Sequence, residues 1–201
     1  MSDDLRDTLR ALPGFPDDLP TLDAASVPAD PLVLFRAWLQ DAIDAGARQP
    51  HAFDLLTVRG DGVPVGRVLI VKAIDERGLH FSTHATSRKG EQLAARPTAS
   101  MLFFWREAGR TVRITGAVHP LSAEESAGDW EQRPTYTGAP NPDWTVYALA
   151  PTEFEFMQAR QDRRHVRIEY LLDADAWTHA PVASPAGGGR RWRVAFASRP
   201  C

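Results

Sequence analysis

A chain of 201 residues, 43% hydrophobic and 24% charged, has the size and make-up of one globular domain with a real core. Its net charge of −3 excludes a nucleic-acid surface, which needs a basic excess, and a single cysteine, Cys201, excludes a disulfide framework or a Cys-based zinc site. No apolar run approaches the roughly 18 residues of a membrane span, and the acidic start Met1-Ser-Asp-Asp is unlike a signal peptide, so a cytoplasmic protein free of membrane and nucleic acid is expected.

Residues 1–29, rich in Pro and Asp, read as an N-terminal arm. Asp30-Pro31 reads as a helix N-cap and first helical residue. Leu32, Phe35, Leu39, Ala42 and Ile43 then recur at helical spacing up to Gly46. From residue 53 the pattern turns to strands. Phe53–Arg59 and a long Val63–Ile74 flank the turn Gly60-Asp-Gly62, and Leu79–His84 follows Asp75–Gly78. Ser87–Arg96 is a short helix stopped by Pro97. Thr98–Arg106 and Thr111–Leu121 pair as a hairpin, and Ser122-Ala-Glu-Glu125 is a capping box opening a helix to about Arg133. After the loop Thr135–Asp143 come strands Trp144–Ala150, Phe154–Ala159 and His165–Leu172. Residues 183–201 form a C-terminal extension, with a flexible linker at Ser184–Gly189 and a last strand at Trp192–Ser198. Antiparallel strands with few short helices give a mainly β, α+β class, and a split or closed β-barrel over residues 30–182.

Of the 23 basic residues, 21 are Arg; the two lysines, Lys72 and Lys89, each sit in a basic motif. Ser82, Thr83, Ser87, Arg88 and Lys89 place hydroxyls and positive charges where a helix begins, an arrangement that suits a phosphate group. A capped surface helix with solvated charges is the plainer reading. In Arg67-Val68-Leu69-Ile70-Val71-Lys72, alternation puts Arg67 on one strand face and Lys72 on the other. Two such charges near a barrel interior call for anionic partners, against the plainer reading of snorkelling at a strand edge. Arg163, Arg164, His165 and Arg167 cluster before or within a strand, suited to an anionic substrate and a proton-transferring His, although a solvated strand face is commoner.

Together these segments, with Gly78–Thr83, Phe104-Trp105, Val112–Gly116, Arg133-Pro134, Glu155–Gln158 and Trp177 in the same order, resemble the pyridoxamine 5′-phosphate oxidase family of FMN-binding split barrels. The resemblance covers about residues 28–180. It implies a homodimer with FMN at the subunit interface. It implies flavin contacts from Arg67, Val68, Leu69, Ile70, Lys72, Ser82, Thr83, Ser87, Arg88, Lys89, Thr111 and Arg167, with Arg88 and Lys89 on the phosphate. Arg163 and His165 would meet the substrate as catalytic residues, with Lys72, Asp129 and Arg133 at its phosphate end. The implied reaction moves hydride from substrate to flavin, with O₂ as acceptor. Four departures stand out: a loop of only nine residues, Thr135–Asp143; Asp129 where a Tyr is expected; Thr111 and Met157 in place of Gln and Trp; and the extension after residue 182. Three readings compete: a vitamin B6 oxidase, an FMN oxidase of a phenazine-like dihydro-aromatic, and a flavin-binding protein without turnover. A deazaflavin or haem split barrel is a further option.

Overall fold

The structure, a computed structural model, describes residues 2–182, so the expected linker and last strand at 184–198 lie outside the described residues. It is a split β-barrel built on a nine-stranded antiparallel sheet of order β2-β1-β5-β6-β7-β4-β3, with β8 added to β7 and β9 to β8. The strands are β1 (Ala52–Val58), β2 (Pro64–Ile70), β3 (Ala73–Asp75), β4 (Gly78–His84), β5 (Thr98–Trp105), β6 (Arg110–Pro120), β7 (Trp144–Gln158), β8 (Val166–Asp173) and β9 (Ala176–Pro181). The helices are α1 (Ser2–Arg10), α2 (Pro31–Asp44), α3 (Arg88–Ala95) and α4 (Ala123–Glu131).

The start of α2 follows from its first two residues. The Asp30 carboxylate accepts the Leu32 amide at 2.9 Å and Pro31 fills the first turn, where no amide is needed. Leu34, Phe35, Trp38 and Ala42 form its buried stripe. Phe35 packs on Phe103 (4.9 Å between ring centroids) and Trp38 meets Phe156 edge-on at 5.3 Å. Alternate residues of β1, β5 and β6 complete the core, with Phe53, Leu55, Met101, Phe103, Val112 and Ile114 all at 2% exposure or less. Each such side chain contributes about 1.5–3 kcal/mol of burial. The capping box forms as read: Ser122 Oγ accepts the Glu125 amide and Glu125 accepts the Ser122 amide.

Three expectations change. The single strand Val63–Ile74 is two, because its ends pair with different neighbours: β2 with β1, β3 with β4. At the break the Val71 amide bonds to His51 and the Lys72 amide to His80, so no donor is lost. Conversely, Trp144–Ala150 and Phe154–Ala159 join into one strand. Pro151 is tolerated because β6 shifts register at Thr115/Gly116, and a Cβ on Gly116 would lie 2.0 Å from the Ala150 carbonyl oxygen. Third, the chain adds α1 within the arm and β9 after β8, and the arm is tied to the barrel. Leu22, Ala24 and Val27 pack on the core and the Tyr170 hydroxyl donates to the Pro28 carbonyl at 2.8 Å.

The edge of β7 is shared: Trp144–Leu149 pairs with β4 and Glu153–Gln158 with β8. That division places the functional side chains in two groups.

Candidate active site at the two ends of β7

The first group surrounds a cavity of about 470 Å³ lined by Val68, Leu69, Ile70, Lys72, Ser82, Arg133 and Trp144, among others. Within β2, Val68 is 69% exposed; past its end Val71 is buried and Lys72 is exposed. Two donors here, Ser82 Oγ and Arg133 Nε, are buried without a hydrogen-bond partner. Such groups are rare, because desolvation without a partner costs about 1–3 kcal/mol.

Behind the cavity, Arg67 reaches across β1 to α3. It donates to the Leu55 carbonyl (3.1 Å), Thr57 Oγ1 (2.5 Å) and Gln92 Oε1 (2.9 Å). Burial lowers its pKa, with partial compensation from the Asp54 charge. Burial, and then the positive charge of Arg67, also lowers the pKa of Lys89. Two cations are thus held close together, neither in an ion pair with a carboxylate among the described residues. Arg88 opens α3 and is exposed. Ser87 is the N-cap: its hydroxyl accepts the Gly90 amide at 3.3 Å, donates to the His84 carbonyl at 2.7 Å and lies 3.4 Å from Thr83 Oγ1.

Lys72 faces Asp129, with Nζ 3.7 Å from one carboxylate oxygen, and the other oxygen accepts the Trp144 indole N–H at 2.8 Å. The Arg133 guanidinium lies over two indoles, 4.2 Å from the Trp144 ring centroid and 5.3 Å from Trp130.

The second group lies at the far end of β7. Ser82 is opposite Val146, whereas Gln158 is opposite Val166. The twelve residue steps along β7 from Val146 to Gln158 correspond to about 40 Å of fully extended chain. Thr111, Met157 and Arg167 lie in one register row across β6, β7 and β8. Arg163 sits at φ 60° in the turn before β8, exposed. His165 Nδ1 accepts the Arg160 amide at 3.1 Å, which leaves the proton of the neutral ring on Nε2. The arm braces this loop: Phe15 meets the His165 ring edge-on at 6.3 Å, and Gln161 Nε2 donates to the Phe15 and Pro16 carbonyls. In a second cavity of about 410 Å³ between arm and loop, Arg160 is paired with Asp162 and Gln161 with the arm. One protomer therefore gathers Lys72, Ser82, Asp129 and Arg133 in one place, and Thr111, Arg163, His165 and Arg167 in another.

The pyridoxamine 5′-phosphate oxidase family matches residues 39–158, and the pyridoxine 5′-phosphate oxidase C-terminal dimerisation region matches 144–183. The chain belongs to the pyridoxamine 5′-phosphate oxidase family. The pyridoxine/pyridoxamine 5′-phosphate oxidase of Ectopseudomonas mendocina is 36% identical over 198 residues, covering 81% of this chain and 92% of its own. That of Thermosynechococcus vestitus is 36% identical over 74% of this chain and 86% of its own. Among solved structures, PhzG from Burkholderia lata, in complex with tetrahydrophenazine-1-carboxylic acid, is 30% identical with a TM-score of 0.77. The match covers 83% of this chain and 99% of PhzG. A related FMN-binding protein of Nostoc punctiforme, 16% identical with a TM-score of 0.66 over 79% of this chain and 99% of its own, shares the fold.

Sequence reading missed Gln92, Trp130, Trp144 and Phe15. Gln92 was within reach: it lies three residues after Lys89 on α3, where i,i+3 spacing puts both on one helix face. Trp130 and Phe15 carry no motif. No helix among the described residues is long and apolar enough to cross a membrane.

Proposed function

We propose that this member of the family is an FMN-dependent oxidase and that its active site is completed by a second copy of the chain. The observation that carries the reading is the pair of orphaned buried donors, Ser82 Oγ and Arg133 Nε, beside the cavity, together with the crowded cations Arg67 and Lys89 behind it. A phosphorylated flavin answers Ser82 and the two cations, and a substrate anion beside it answers Arg133. Arg88 and Lys89 would hold its phosphate, and Arg67, Val68, Leu69, Ile70, Lys72, Ser82 and Thr83 would hold its ring system. When bound, FMN supplies the two-electron redox chemistry, with O₂ as the final acceptor.

The chain's own groups do the rest. His165 presents an Nε2 proton toward the substrate, and Arg163 and Arg167 keep the potential positive where negative charge collects. The His165 loop and the Lys72 cavity sit at opposite ends of β7, so a two-fold dimer would set each loop over its partner's cavity. The outward residues of β5, Leu102 at 37% and Phe104 at 54% exposure, supply apolar surface for that contact. Met101, Phe103 and Trp105, the alternate residues of the same strand, are buried in the core. The likeness to PhzG favours a dihydro-aromatic substrate as a second reading beside vitamin B6.

The test is the absorbance spectrum of the purified protein, followed by H₂O₂ release across pyridoxamine 5′-phosphate, other amines and dihydro-aromatics. Bound FMN and H₂O₂ from one class are expected. FMN without turnover of any of them would leave a flavin carrier instead. Mixing Lys89→Ala and His165→Ala protomers should restore about a quarter of wild-type activity, through the one intact site of each mixed dimer; no recovery would refute the shared site.

A further inference from the structure

We propose that Asp129 is a positioning and specificity residue that cancels the charge of Lys72, so that the cavity selects a planar aromatic substrate carrying one carboxylate over a phosphate monoester. The inference rests on the flavin-site reading of this cavity.

The charges can be counted. Lys72 has Asp129 as its counter-ion, with Nζ 3.7 Å from the carboxylate. Asp129 cannot easily swing away, because its other oxygen is bonded to the indole of Trp144, a buried residue of β7. Arg133 has no carboxylate within ion-pair distance among the described residues, and its Nε is a buried donor without an acceptor. The Lys72, Asp129 and Arg133 trio therefore carries one net positive charge.

A phosphate monoester brings about −1.5 to −2 near neutral pH. One carboxylate brings −1, which matches the trio. A dianion would be left with uncompensated charge and would face Asp129 at close range, where like charges in a partly dry site repel strongly. The guanidinium also offers a planar fork that suits a carboxylate, and its contacts with the Trp130 and Trp144 rings hold it beside the cavity. The Trp144 wall favours a flat ring beside it, lying over the flavin that Val68, Ile70 and Ser82 would hold.

Two probes with one ring isolate the anion: 1-naphthoate and 1-naphthyl phosphate, titrated by calorimetry into the FMN-loaded full chain. The wild type should bind the carboxylate at least about tenfold more tightly. Asp129→Asn keeps an oxygen for the Trp144 N–H and removes the charge, and should shift the ratio of the two Kd values about tenfold or more toward the phosphate. Asp129→Glu should retain the wild-type preference. Should Asp129→Asn fail to fold, Lys72→Met with Asp129→Leu replaces the whole ion pair and keeps the net charge, so the carboxylate preference should survive. A wild type that favours the phosphate, a ratio unmoved in Asp129→Asn, or a double variant that turns to the phosphate overturns the proposal. Failure to load FMN, seen in the spectrum before any titration, defeats the flavin reading instead.

Discussion

Arg67 and Lys89, at α3, and Lys72, beside α4, are cations treated in opposite ways. The first two are pressed together without an ion-pair partner, and the pKa of each is pushed down by burial. Lys72 has its own carboxylate at 3.7 Å, held by an indole. A protein leaves a buried positive charge unmatched where something else brings the negative charge. On the proposed reading the α3 side would receive a full phosphate, whereas the α4 side is already partly neutralised by Asp129.

The sharpest way to break this contrast is to remove the α3 charges. Arg88→Ala with Lys89→Ala should weaken FMN at least a hundredfold, since each charge-assisted contact is worth about 1.5–3 kcal/mol. Fluorescence titration of the apoprotein reads this, and wild-type affinity in the double variant would dismiss the α3 site.

The two helices also differ in how tightly they are seated. A Cβ on Gly90 of α3 would lie 2.1 Å from the Ala85 carbonyl oxygen, whereas one on Gly128 of α4 meets nothing within 4 Å. Gly90→Ala should cost about 1–3 kcal/mol and displace the start of α3, weakening FMN as well. Gly128→Ala should instead stabilise by up to about 1 kcal/mol, as Ala replaces Gly inside a helix. Denaturant melts of the two variants moving in the same direction would erase the distinction.

The smallest effect concerns how α4 is tied down. Arg77 donates to Asp75 and, at 2.7 Å, to Glu125 of the capping box. Its hydrogen bonds are the main reason both carboxyls are lowered to about 2. Both pKa values are depressed on folding. The stability they contribute is therefore present above the ordinary carboxyl range near 4 and is lost as pH falls toward 2. Arg77→Gln should flatten the fall of Tm between those limits, modestly, because these groups are solvent-exposed. An unchanged slope would show the bridge to be decorative.

How far the sequence displayed all this depends on the range of each signal. The Asp30-Pro31 start and the Ser122 capping box were plain, because every partner lies within four residues. The break at Val71-Lys72 was hidden, because Val63–Ile74 is rich in Val and Ile throughout and only the choice of neighbouring strand divides it. Pro151 suggested a strand end, since the compensating Gly116 is 35 residues earlier and opposite it only in the sheet. In the site, Asp129 could be seen as an odd residue, but Trp144, its hydrogen-bond partner, is a neighbour only through α4 packing on β7. Arg67 reads as a flavin contact, yet its hold on Gln92 depends on how α3 sits against β1.

The fifteen residues of β7 also act as a ruler. Both groups of functional side chains take their spacing from this one strand, and adding one residue within it would turn every side chain beyond the insertion to the opposite face. The preceding loop carries no such burden. Its last residue, Asp143, is clamped by the Thr86 amide and hydroxyl and by His84, while residues 135–142 form no strand. A lineage of such proteins can therefore lengthen or shorten that loop to recut the substrate end, and the calibration between the two ends survives.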